Sequence, residues 1–382
     1  RERHKIGSER TLLYKKCYFL HNIHYKYSNY GSVLQSYAMQ EVLKLYTCCT
    51  PIIIDYCPDI FLKCDPYNPL NVTEHVEQIY TQQHIDLKAI AENEQKVRKF
   101  IADRYCLSHG KYTSFTFNDS LLQEKIDGYL CGSDAIWSVE YFRDFDKAFY
   151  GCYPCMQDRT IAYAASFGET VFHENLRDKM LLRMKNFKAI GLRELTEFKS
   201  IAQHTKLHVE RVLDPTLLLP AEKYKTIMSE RIIKEPYLLI YSRQNDTNMC
   251  NFAKKIAEEQ KIAIVNISLH EDADFDCNYK YNAGIEEFLS LIYYAEIVIT
   301  NSLHGTIFSV VLQKEFWTFP RINGDRKIDD FLALLNLKYR KVDDMRKTTI
   351  LQQSIDYQKV TILLEKYKEK SIRYLKYALE IL

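Results

Sequence analysis

The chain has 382 residues, and at roughly 150 residues per domain that length suggests two domains with ample core. With 52 basic and 50 acidic residues well mixed, the net charge of +2 gives no electrostatic case for nucleic acid. No window approaches 18 uninterrupted apolar residues, which argues against a spanning helix.

Residues 1–14 open with the charged run Arg1–Arg10, which lacks an apolar stretch, and read as a disordered arm rather than a secretory signal. Lys16–Leu20 is a first strand. It leads to a helix from Gly31 to about Lys44, with Val33, Leu34, Tyr37, Ala38, Val42 and Leu45 on one face. Pro51–Tyr56 closes a β-α-β unit. Residues 57–114 read as a charged helical insertion. Strands follow at Gly128–Cys131, Arg159–Ala164, Phe187–Ile190 and Val209–Leu213, with helices expected over 175–186 and 194–203.

Pro220 and Pro236 bracket a linker, after which a second series begins. It has strands at Tyr237–Tyr241, Ala263–Asn266, Ile297–Thr300 and Phe316–Phe319, and helices over 249–260 and 285–294. From about Gln353 an amphipathic helix runs to the end, expected to pack across the protein rather than lie on a membrane. The alternation is that of parallel α/β sheets, and two such sheets in series imply a cleft between them, a favoured place for a ligand. The expected division is 15–220 for an N-terminal domain carrying the insertion, 221–350 for a C-terminal domain, and 351–382 for a helix returning to the first.

Eleven cysteines without scaffold spacing point to free thiols in a reducing cytosol. Cys152 and Cys155 form the one CxxC. It could serve as a redox pair or half a zinc site, but no second pair accompanies it, so two ordinary thiols are expected and neither a metal nor a cofactor. Glycine is as scarce as cysteine (11 residues), so its positions are informative. Gly31, Gly132, Gly168, Gly191 and Gly305 all stand at strand ends, as repeated strand–turn–helix units require.

The most informative stretch is Ile297–Leu312. A buried strand stops at Asn301, Ser302 and His304, and a helix begins. In open α/β sheets this carboxyl edge is where ligands sit, and a helix N-terminus there offers N–H groups to an anion. His304 is a candidate acid–base group; its alternative role is to cap the helix.

Taken in order, several motifs resemble one family. They are Asn29-Tyr-Gly-Ser-Val-Leu-Gln-Ser-Tyr-Ala38, Ile54-Asp-Tyr56, Gly132-Ser-Asp-Ala-Ile-Trp137, Tyr163-Ala-Ala-Ser-Phe-Gly168, Leu192-Arg-Glu194, Val212-Leu-Asp-Pro-Thr216 and Thr300-Asn-Ser-Leu-His-Gly305. The set is similar to polysaccharide pyruvyl transferases over roughly residues 15–340. The resemblance implies two Rossmann-like domains facing a cleft, as in GT-B glycosyltransferases. It also implies transfer of a pyruvate ketal from phosphoenolpyruvate to a sugar, nucleotide- or lipid-linked, of a cell-surface polysaccharide or its precursor. A cytoplasmic protein, in peripheral contact with the inner membrane face at most, is the matching location; the oligomeric state is left open.

The chemistry then suggests roles. His304 is the acid–base group. Arg193 is a fork for carboxylate or phosphate, with a salt bridge to a nearby Glu as the alternative. Ser302 and the amides of Gly305 and Thr306 hold the donor, with Arg243 and Arg326 as further anion ligands. Asn29, Ser133, Asp134 and Ser166 line the acceptor side. Members with established pyruvyl transfer often carry Arg where this chain has Ser302. The missing guanidinium removes a contact worth roughly 1.5–3 kcal/mol. It keeps open a glycosyltransferase using a nucleotide sugar, or a non-catalytic glycan-binding relative.

Overall fold

The computed structural model describes residues 29–58, 87–117, 126–142, 144–168, 170, 173–243, 246–268, 277–321, 326–343 and 354–382, and the backbone of 15–20. The expected arm at 1–14 and the middle of the expected insertion, 59–86, lie outside the described residues.

In the first half β1 (Lys15–Leu20) is followed by α1 (Tyr30–Tyr46), β2 (Cys49–Tyr56), α2 (Leu87–Arg104), β3 (Leu107–Tyr112) and β4 (Gly128–Cys131). Then come α3 (Val139–Phe142), β5 (Thr160–Ala165), α4 (Glu174–Met184), β6 (Phe187–Leu192), α5 (Leu195–Gln203), β7 (His208–Arg211), α6 (Pro215–Leu218) and α7 (Ala221–Lys225). The second half has β8 (Tyr237–Tyr241), α8 (Thr247–Gln260), β9 (Ala263–Asn266), β10 (Asn278–Tyr279), α9 (Ile285–Tyr294), β11 (Ile297–Thr300), α10 (Leu303–Val311), β12 (Glu315–Thr318) and α11 (Arg326–Leu334). The last helix is α12 (Tyr357–Glu380).

Seven strands make one sheet in the order β3-β2-β1-β4-β5-β6-β7, and five make another in the order β10-β9-β8-β11-β12. Every pairing is parallel. The chain reverses direction across the sheet between β1 and β4 and again between β8 and β11. Such switch points open crevices at the carboxyl ends of the strands.

Two expectations need correction. The stretch 57–114 is not helical to its end, because β3 extends the first sheet beyond β2. Its sequence, Leu-Ser-His-Gly-Lys-Tyr, has no apolar run because an edge strand buries only part of itself. Helix α1 is not one-sided either: Tyr30 to Gln40 are all buried, including Ser32, Gln35, Ser36 and Gln40, while Leu45 is exposed where the helix ends.

The two halves share one apolar cluster. Tyr30 stacks on Phe288 with ring centroids 4.4 Å apart, and Tyr241 meets Phe288 edge-on at 5.1 Å. Polar clamps flank this contact. On one side Lys96 of α2 donates to Asn282 O (2.9 Å) and pairs with Glu287 (2.7 Å). On the other, Asp330 of α11 accepts from Leu195 N (3.0 Å), the first amide of α5, and Arg326 pairs with Glu197 (3.2 Å). Helix α12 lies on the first half: Ser371 Oγ accepts from Leu213 N (2.9 Å), and Tyr374 donates to Ala162 O (2.8 Å). No described helix is long and apolar enough to cross a membrane.

Candidate active site

Both switch points are occupied by helix N-termini that meet. Asn29 caps α1, its side chain accepting from Ser32 N at 3.2 Å. Ser302 caps α10, accepting from Gly305 N at 3.4 Å. Between them sits His304. A Cβ on Gly31 would stand 2.0 Å from His304 Nδ1, so only glycine allows α1 to approach the imidazole.

The other imidazole nitrogen turns to the first half. His304 Nε2 lies 3.5 Å from Asp214 Oδ2, an ion-pair distance, and has no hydrogen-bond partner among the described residues. Asp214 follows β7 and is almost wholly buried. The same oxygen accepts from Arg193 Nη1 at 2.6 Å and Gln35 Nε2 at 2.5 Å, while Oδ1 accepts from Thr216 Oγ1 at 2.7 Å. Burial alone would raise the Asp214 pKa. His304, Arg193 and the Thr216 hydroxyl outweigh it and hold the carboxyl well below the usual range. Arg193 is likewise buried, which would lower its pKa, but Glu194, Asp214 and Asp134 raise it.

The expected residues can now be placed. Arg193 and His304 come together, through Asp214 rather than directly. The alternative reading of Arg193 is the one seen: its fork is spread between Asp214 (Nη1 to Oδ2, 2.6 Å) and the neighbouring Glu194 (Nε to Oε1, 3.3 Å). The amides of Gly305 and Thr306 are engaged with Ser302 Oγ and Ser302 O (3.0 Å), so they belong to the helix cap. Gly305 is glycine because a Cβ would meet Thr300 Oγ1 at 2.3 Å.

Arg243 follows β8; its amide donates to Asn301 Oδ1 (2.7 Å), and its side chain reaches Tyr241, as do Ser302 and the charge of Arg321. Arg326 is elsewhere, bound to Glu197 and Thr170 O (3.2 Å) in the flank clamp. The residues expected on the acceptor side are engaged internally. Ser133 accepts from Gln35 (3.0 Å), Asp134 accepts from Ser32 (2.9 Å) and Ala135 N (2.8 Å), and Ser166 Oγ accepts from Gly168 N (3.1 Å). Ser133 and Ser166 are wholly buried.

With that geometry the comparisons become informative. The family model for polysaccharide pyruvyl transferase matches residues 29–322, a span that includes every residue of the network. The chain belongs to this family. No curated protein matches. Among solved structures, the Staphylococcus aureus MnaA–UDP complex is similar at 12% identity and TM-score 0.50, covering 96% of this chain and 98% of that one. The UDP-GlcNAc 2-epimerase of Methanocaldococcus jannaschii is similar at 12% identity and TM-score 0.48, with coverage of 95% and 99%. MurG of Acinetobacter baumannii follows at 9% identity and TM-score 0.44, with coverage of 96% and 100%. The likeness is one of fold, the GT-B-like arrangement of two parallel α/β halves.

Three members of the network were given no role in the sequence reading: Asp214, Gln35 and Thr216. Asp214 had a signal, since Asp-Pro-Thr directly after a strand is a carboxylate at a sheet's carboxyl edge. Gln35 had none, being a polar residue within an apolar helix.

At the CxxC burial pushes both thiols up, and Cys152 Sγ accepts from Asn186 at 3.6 Å. No described group of three or more His, Cys, Asp or Glu could hold a metal.

Proposed function

We propose that this family member transfers a pyruvate ketal from phosphoenolpyruvate to a sugar of a cell-surface polysaccharide or its precursor, on the cytoplasmic side of the membrane. The observation that carries the reading is the His304–Asp214–Arg193 chain, which joins the two halves, together with Arg243 and Arg321, whose charges act on Tyr241 at the end of β8. Those cations suit a donor bearing phosphate and carboxylate.

The chemistry runs in two additions. A first sugar hydroxyl bonds to C2 of the enol as the methylene carbon takes a proton from His304 and becomes methyl; the hydroxyl's own proton passes to the imidazole and restores it. The C2–O bond to phosphate then breaks, leaving an oxocarbenium centre. A second hydroxyl of the same sugar closes the ketal, and its proton leaves with inorganic phosphate. His304 is the group for the proton delivered to carbon, with Asp214 orienting it and balancing the imidazolium. Arg193 acts on the donor's charge from beside Asp214.

Phosphate release from phosphoenolpyruvate, dependent on a nucleotide- or lipid-linked sugar, tests the reading. His304→Ala should lower that rate at least about a hundredfold. The imidazole is wedged between Gly31 and Asp214, so a stability loss of roughly 1 kcal/mol accompanies it. A variant with unchanged turnover would remove His304 from the mechanism. Ser302, in place of the cation common in established pyruvyl transferases, favours a second reading in which the donor is a nucleotide sugar. Thermal-shift assays with both donor classes separate the two.

A further inference from the structure

The acceptor must lie beside Arg193 and Asp214, yet the polar groups on the β4 and β5 side of them are bonded to one another. On the opposite side the same two residues form the inner wall of a pocket of about 70 Å³ with an open mouth, bounded by the ends of β6 and β7, α10, α11 and α12. We propose that this pocket receives a pyranose ring of the acceptor sugar, with Glu194 as the carboxylate that takes its hydroxyls. The proposal rests on the transfer reading for its place in the reaction, but the binding it describes stands on the pocket itself.

Three observations carry it. The cavity of about 70 Å³ has room for about five hydroxyl-sized groups, so a sugar ring enters by one edge with the rest of it at the open mouth. The walls are apolar where a ring's C–H face would rest, on Leu303, Ile307, Phe331 and Tyr367, and the rim is charged, with Arg211 and Lys327 among its residues. Glu194 stands in the wall with one oxygen on Arg193; the other, Oε2, is buried without a hydrogen-bond partner. A carboxylate oxygen left so is costly, and a hydroxyl from the pocket, met by a small turn of the side chain, would satisfy it. A ring held there presents its hydroxyls directly to the Arg193–Asp214 pair.

Saturation-transfer NMR on the full chain tests this with methyl pyranosides of glucose, galactose, mannose and N-acetylglucosamine as probes. At least one should bind. Glu194→Ala and Leu334→Trp, which fills the pocket from a partly exposed position, should each weaken it tenfold or more, while Lys99→Ala, on the exposed face of α2, leaves it within twofold. If Leu334→Trp does not fold, Tyr367→Ala replaces it. No binding up to about 50 mM, or binding indifferent to these substitutions, overturns the proposal. Binding as described with no consumption of phosphoenolpyruvate overturns the transfer reading and leaves the pocket standing. Full turnover by Leu334→Trp does the reverse.

Discussion

At the first sheet's switch point the polar side chains are Gln35, Ser133 and Asp134, bonded to Asp214, to one another or to α1. At the second sheet's switch point they are Arg243, Ser302 and His304, and His304 reaches across toward Asp214. The first half thus brings carboxylates, an amide and the Arg193 guanidinium already fixed in place, and the second brings Arg243 and an imidazole. Fixed dipoles and charges need no reorganisation when a reaction develops charge beside them. The contrast suggests that the first half is the rigid reference and the second half positions the donor against it.

The largest expected effect comes from breaking the fixed side. Asp214→Asn removes the charge shared by Arg193 and His304 and should cost about 3 kcal/mol or more in urea unfolding at neutral pH. The sign with pH follows from the lowered pKa of Asp214 in the folded state. Its stabilisation is fully present above the unfolded value near 4 and fades as pH falls toward the folded one. The wild-type and variant midpoints should therefore converge in acid; a constant gap would show that shape rather than charge is lost.

Next is the contact between halves. Gly31→Ala places a methyl against His304 and should cost roughly 1–3 kcal/mol, with turnover falling as the imidazole is displaced. An unaltered melting temperature would mean the helices do not meet as described.

Arg193→Lys keeps the charge but cannot span Asp214 and Glu194 together. Donor KM should rise about tenfold, near 1.4 kcal/mol, with acceptor KM moving little. Wild-type behaviour would take Arg193 out of the donor's path.

The smallest effect tests the second half alone. Ser302→Arg loses the α10 cap, at about 1 kcal/mol, while adding a cation. Tighter phosphoenolpyruvate binding by fluorescence or calorimetry supports that donor; weaker binding of every anion favours the nucleotide sugar.

These residues also show what was legible beforehand. β11 and β8 are continuous apolar runs buried on both faces, so composition alone marked them, and His304 followed from its place after one. β10, with two residues, and the edge strand β3 leave almost no pattern, because their partners supply the pairing. The network around Asp214 was hidden for another reason: its members come from residues 35, 193, 214 and 304, and sequence proximity says nothing about which carboxylate an arginine will find. The acceptor assignment shows the same limit, since Ser133, Asp134 and Ser166 have sugar-binding chemistry but spend it on the fold.

Helix α12 packs its Tyr374 and Ser371 under β5 and the turn after β7, although every strand of both sheets precedes it in the chain. During synthesis the first half therefore waits, with part of its apolar underside uncovered, until the second half and α12 have been made. Its completion is a late event in the life of the chain, and the turn that carries Asp214 gains its bond to Ser371 only then. A chain cut after residue 343 would keep every strand of both sheets and lose the helix that covers β5 and the turn after β7.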